Sequence, residues 1–110
     1  MANYCFAAPI LPGGLDAMKA WAKDGIQGNK AHDAVFRAAG ITREQVWLEH
    51  TPDGDVAVVS LEVKDPKALE RVAASKDPWA AQFRSFVQRA HGMDIAKPLP
   101  PNELLIDWKG

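Results

Sequence analysis

Cysteine is nearly missing from this chain. Cys5 stands alone among 110 residues, so no disulfide can close within the chain, and a reducing, cytoplasmic setting is expected. Concentrated positive charge is missing too. Thirteen Lys and Arg against fourteen Asp and Glu leave a net charge of −1, and nowhere do three basic residues cluster. Nucleic-acid binding requires a cationic surface, so that class of partner is set aside. Apolar runs are short: none approaches the roughly 18 residues that a bilayer span needs. The opening MANYCFAAPI has no charged stretch of the kind that begins a signal peptide, so no membrane partner is expected. The three histidines and the cysteine have no ligand spacing, and no metal or cofactor is expected. Phosphate-binding glycine loops, nucleotide fingerprints and nucleophile elbows are likewise missing.

What remains is ordinary in bulk and informative in pattern. A hydrophobic content of 47% and a charged content of 25% suit one soluble globular domain over residues 1–110. The hairpin from Arg43 to Val63 carries large apolar residues on both faces. Its turn residues Pro52-Asp53-Gly54 fit a type I turn closed by a glycine at positive φ. That turn predicts His50 opposite Val56, Leu48 opposite Val58 and Val46 opposite Ser60 on one face. On the other it predicts Trp47 opposite Val59, Glu49 opposite Ala57 and Gln45 opposite Leu61. A sheet with one wet face would alternate apolar and polar. Here both faces need cover: helices on one, a second copy of the chain on the other.

Around the hairpin, Tyr4 to Ile10 reads as a first strand, and Leu15 to Ala39 as a helical stretch stopped by Gly40. In that stretch Met18, Ala22, Gly25, Asn29, His32 and Phe36 share one side. Gly25 and Gly28 either break it into two helices or mark a close approach of backbone. Thr42-Arg43-Glu44-Gln45 also fits a capping box, which leaves the start of the strand open. Asp65-Pro66 and Asp77-Pro78 are helix starts, His91-Gly92 is a helix stop, and Met93 to Pro101 is irregular. Glu103 to Asp107 reads as a last strand. The order β-α-β-β-α-β predicts a ferredoxin-like α+β sandwich, a four-stranded antiparallel sheet with helices on one face. The apolar face left over predicts a homodimer.

Several short motifs carry a resemblance: Tyr4-Cys5-Phe6 with Pro9-Ile10, Gly40-Ile41-Thr42-Arg43 with Val46-Trp47-Leu48, and Thr51-Pro52 with Gly54-Asp55. Further along are Asp77-Pro78-Trp79 and His91-Gly92-Met93-Asp94. On these the chain resembles the dimeric α/β-barrel superfamily, which includes antibiotic-biosynthesis monooxygenases, haem-degrading monooxygenases and muconolactone isomerases. More narrowly, it resembles an uncharacterised bacterial group within that architecture. The resemblance implies a dimeric barrel and leaves function open, because a fold does not fix an activity.

The candidate site residues are His32, His50, His91 and Glu49 for proton transfer, and Tyr4, Asn29, Trp47, Trp79 and Phe83 for ligand contact. Histidine titrates near neutral pH and suits acid–base work. His50 either faces a pocket or ends its strand in solvent. His32, beside Asn29 and Phe36, either lines a cleft between helix and sheet or is a satisfied polar group on a drifting stripe. His91 suits a helix C-terminus, where the dipole favours a cation, and Asp94 is placed to orient it. Glu49 shares the predicted Trp47/Val59/Leu61 face, where burial would raise its pKa unless it reaches water at the sheet edge. The aromatic residues either box a flat ligand or fill the core. Trp108 either anchors the tail or crosses to a partner. Asn3, Trp79 and His91 occur in the order of a haem-degrading site, but twelve residues of helix turn His91 about 120° from Trp79. The function expected is binding of a small apolar or aromatic molecule between helices and sheet, with cofactor-independent oxygenation or isomerisation if it is an enzyme. The alternatives are a non-catalytic ligand-binding or interaction module and a haem-binding or haem-degrading protein.

Overall fold

The structure, a computed structural model, describes residues 2–97 and 102–110. Strand β1 (Ala2–Pro9) leads into helix α1 (Gly14–Trp21), which widens into a π-helical turn at Ala22–Ile26. Helix α2 (Lys30–Ala39), strands β2 (Ile41–Thr51) and β3 (Gly54–Val63), and helices α3 (Ala68–Ala74) and α4 (Pro78–His91) follow. Local chemistry sets most of these ends. Asp77 accepts the N–H of Trp79 at 2.8 Å and Pro78 opens α4, which stops at Gly92. Asn29 caps α2 by accepting the N–H groups of Ala31 and His32 at 3.0 and 3.1 Å. The helical stretch expected from Leu15 to Ala39 is therefore two helices, broken at Gln27–Asn29. At Thr42–Gln45 the strand wins over the capping box, with a bulge between Ile41 and Arg43.

The sheet is antiparallel in the order β1-β3-β2, and among the described residues it has three strands. This corrects the expected four-stranded ferredoxin-like sandwich and the dimeric α/β barrel built on it: the fold is α+β with an open sheet. The segment Glu103–Asp107, read as a fourth strand, pairs with no strand. Its neighbour Asn102 shows why. Its side chain accepts the N–H of Cys5 at 2.8 Å and donates to the C=O of Cys5 at 2.7 Å. A ladder along β1 would need those two groups. Of the tract expected to be irregular, Met93–Lys97 has no regular structure, and the rest, 98–101, lies outside the described residues.

Register is the second correction. The hairpin loop is two residues, Pro52 and Asp53, between paired Thr51 and Gly54, whose φ is 126°. Leu48 thus lies opposite Ala57, Val46 opposite Val59 and Glu44 opposite Leu61. One residue of slip exchanges the whole set of β3 partners. The face under the helices collects Tyr4, Phe6, Ala57, Val59, Leu61, Glu44 and Val46; Gln45, Trp47, Glu49, Val56 and Val58 take the outer face.

Two clusters are buried, the larger between helices and sheet and the smaller around α4. The larger joins Val35, Phe36 and Trp79 to Leu61 and Val63; the smaller is Phe86, Val87, Ala90 and Ile95. Trp21 and Phe83 pack against both. Trp21 stacks on Phe86 and Trp79, with ring centres 5.0 and 5.7 Å away. Its indole lies so close to Gly25 that a Cβ there would meet ring atoms at 2.5 Å. The carbonyl of Gly25 in turn accepts the indole N–H of Trp79 at 2.8 Å. Gly25→Ala must displace an indole that holds the two clusters together, and overpacking of this kind costs about 1–3 kcal/mol. Urea denaturation should show a lower midpoint by that amount; an unchanged midpoint would refute the packing role.

Candidate ligand-binding cleft

Because the helices cover the sheet unevenly, a cleft of about 360 Å³ opens between the two layers. Phe6, Val46, Val59 and Leu61 form its sheet wall, and Met18, Trp21, Phe83 and Phe86 its helix wall. Cavities from about 300 Å³ upward hold small organic ligands. Three polar side chains interrupt the apolar lining: Gln27, Glu44 and His91. Glu44 and Phe36 also line a surface hollow of about 520 Å³ beside His32, Arg37 and Lys64, so they form the partition between the two spaces.

His32 stands on the outer side of that partition. Its Nε2 lies 3.2 Å from Glu44 Oε1 and its Nδ1 3.0 Å from Asp33 Oδ1. The ring packs on Phe36 at 4.3 Å between centres and meets Trp79 edge-on at 5.3 Å. A carboxylate can only accept, so both ring nitrogens donate and the ring is an imidazolium. Burial pulls its pKa down, but the hydrogen bonds to Glu44 and Asp33 and their charges outweigh burial and raise it. Among the described residues, the second oxygen of Glu44 has no partner.

His91 reaches the cleft from the other end. Its Nδ1 lies 2.8 Å from the carbonyl oxygen of Pro9. A carbonyl can only accept, so Nδ1 carries the hydrogen and Nε2 is the nitrogen left for a ligand. Helical rotation puts His91 beside the apolar stripe, yet the ring lines the cleft and meets Phe86 edge-on at 5.8 Å. Pro9 orients it; Asp94 instead accepts the N–H of Ala96.

Of the other expected site residues, Phe83 lines the cleft. Trp79 is buried in the larger cluster, and Tyr4 packs against that cluster beside a separate hollow of about 40 Å³. Burial raises the Tyr4 pKa. Asn29 is occupied as a helix cap. His50 is 73% exposed at the hairpin end, 2.8 Å from Asp55. Glu49 and Trp47 lie on the outer face, Trp47 59% exposed, so neither meets the cleft. Asn3 is on that face too, and the trio Asn3, Trp79 and His91 does not converge. Sequence reasoning missed Trp21 and Glu44. The signal for Trp21 was the glycine one turn later; for Glu44 it was the correct register, which puts the carboxylate opposite Leu61.

No protein-family model, curated protein or solved structure matches the chain. With an open three-stranded sheet and no matching family, the resemblance to the antibiotic-biosynthesis-monooxygenase-like, dimeric α/β-barrel superfamily is set aside. Among the described residues, no helix is long and apolar enough to cross a membrane.

The His32 bridge generates a pH prediction. Its folded-state pKa is raised above the ordinary 6.5, so its stabilisation is fully present below that value. It is lost as pH rises through the higher folded pKa. Calorimetry from pH 5.5 to 9, approximate limits chosen to bracket histidine titration, should show the melting temperature declining above neutrality. Glu44→Gln, which removes the carboxylate, should flatten that decline; an equal decline in the variant would refute the bridge.

Proposed function

We propose that this protein binds a small, largely aromatic molecule in the cleft between its helices and its sheet, and that it does so in the cytoplasm. The observation that carries this reading is the cleft itself, about 360 Å³ of space walled by Phe6, Trp21, Phe83 and Phe86. Flat rings suit it, since aromatic side chains favour offset or edge-on contact with another ring. Its polar groups select among such ligands. Glu44 would accept a hydrogen bond from a hydroxyl or amine. The Nε1–H of Trp21 is buried with no acceptor among the described residues, a state that costs about 1–3 kcal/mol. The lone Cys5 supports the cytoplasmic setting.

A second reading, proton-transfer chemistry on the bound molecule, is favoured by one arrangement. Pro9 engages Nδ1 of His91, a residue of the cleft lining whose Nε2 is then the nitrogen left to take part, while Glu44 supplies a carboxylate elsewhere in the lining. An isomerisation takes a proton from one atom of the substrate and returns it to another, so it needs only a base and an acid. Cofactor-independent oxygenation of an acidic aromatic substrate would begin with the same proton removal. Where binding occurs without turnover, the cleft belongs to a binding module.

Thermal-shift titration with 1-naphthol, indole and decalin tests the binding reading. Naphthol should raise the melting temperature most, with stabilisation of about 2.7 kcal/mol at a hundredfold excess over Kd. Val59→Phe, which fills the cleft from the sheet side, should abolish the shift while leaving the circular dichroism spectrum unchanged. Equal shifts in both proteins, or none with either aromatic compound, would overturn the proposal.

A further inference from the structure

The large apolar side chains that this fold leaves in water are not scattered. Of the seven among the described residues, Val46 and Trp47 are adjacent on β2, and Leu104, Leu105, Ile106 and Trp108 lie on the segment that follows Asn102. Only Leu11 stands elsewhere. The four on that segment are between 77% and 83% exposed. The segment Glu103-Leu104-Leu105-Ile106-Asp107-Trp108-Lys109 has the pattern of a half-buried strand. Extended, it puts Leu104, Ile106 and Trp108 on one face and Glu103, Leu105, Asp107 and Lys109 on the other. It is a strand sequence without a sheet, in a protein whose sheet has open edges.

The two edges are not equivalent. At β1, Asn102 occupies both backbone groups of Cys5, and Pro9 has no N–H to offer. Cys5 turns its backbone groups away from β3, so antiparallel alternation assigns Tyr4, Phe6 and Ala8 to the β1–β3 ladder. Carried across β3, the same alternation leaves the N–H and C=O groups of Glu44, Val46 and Leu48 along the free edge of β2. That edge is whole and flanked by exposed apolar side chains.

We propose that the arm Glu103–Gly110 pairs with the β2 edge of a second copy of this chain, and that two copies exchange arms reciprocally. The chain's own β2 is a poor target. The arm is rooted at Cys5 on β1, so it would spend about 14 Å of a reach of roughly 26 Å crossing the sheet before it could run alongside. On a neighbour, the face carrying Leu104, Ile106 and Trp108 lies beside Val46, and Leu105 falls beside Trp47. The charged residues then stay in water. Such strand addition draws affinity from main-chain hydrogen bonds and register from alternate side chains. Two exchanged arms bury on the order of 1,200 Å² of their own surface, where specific interfaces begin. Because Val46 lines the cleft, the neighbour's arm also lengthens the cleft's sheet wall.

Sedimentation of the full chain at micromolar to submillimolar concentration tests this with two variants. Leu104→Asp combined with Ile106→Asp alters the arm and leaves the folded body intact. Val46→Pro removes an N–H from the β2 edge without touching the β2–β3 ladder. The native chain should sediment as a dimer, and each variant should weaken association at least tenfold with an unchanged circular dichroism spectrum. Mixing the two variants should recover part of the association, because one still offers an arm and the other an edge, so one of the two exchanges can form. A native chain that stays monomeric throughout, an arm variant that still dimerises, or mixed variants that associate no better than either alone would each overturn the proposal.

Discussion

The contact between Trp21 and Gly25 organises the helix layer. The indole occupies the space where any other residue would carry a side chain, and from there it stacks toward both buried clusters. The π-helical turn that contains Gly25 widens the backbone at that point. Its freed carbonyl accepts the indole N–H of Trp79, which ties the first helical stretch to α4. With the two stretches locked by aromatic side chains, the helix layer keeps a spacing from the sheet that side chains do not fill. The cleft is therefore a result of packing, and its aromatic walls are the same side chains that hold the layer together. Ligand contact and structural support are shared by one set of residues.

Electrostatics in the fold concentrates at one place on the cleft wall. Glu44 is the acidic residue on the helix-facing side of β2, and the strand delivers it between an apolar space and a polar one. A lone carboxylate there would be costly. His32, given a second hydrogen bond by Asp33, stabilises it and is stabilised in return. Neither residue is fully buried, so the pair forms without severe desolvation.

Helix boundaries were legible in the sequence where a side chain acts on nearby backbone: Asp77 with Pro78, and the stops at Gly40 and Gly92. What was not legible depends on single residues whose effects are long-range. The pattern Thr51-Pro52-Asp53-Gly54 allows a loop of two or three residues, and that one choice decides whether Glu44 or Glu49 meets the apolar face. Periodicity suggested a strand at Glu103–Asp107, and the extended, alternating character is there; its partner is not. No local pattern reports that an amide ninety-seven residues away will bind the backbone of Cys5. The histidines divide in the same way. His50 follows from its position at a hairpin end, whereas the inward turn of His91 depends on the carbonyl of Pro9 across the fold.

The amide of Asn102 acts as a plug on one margin of the sheet. A sheet open on both margins could stack copy upon copy along its hydrogen-bonding direction, the geometry of a growing fibre. With Cys5 already engaged and Pro9 without an N–H, backbone pairing along β1 is interrupted at two points. A strand that joins this sheet finds the uninterrupted margin at β2. A single carboxamide thus makes the two sides of the sheet unequal.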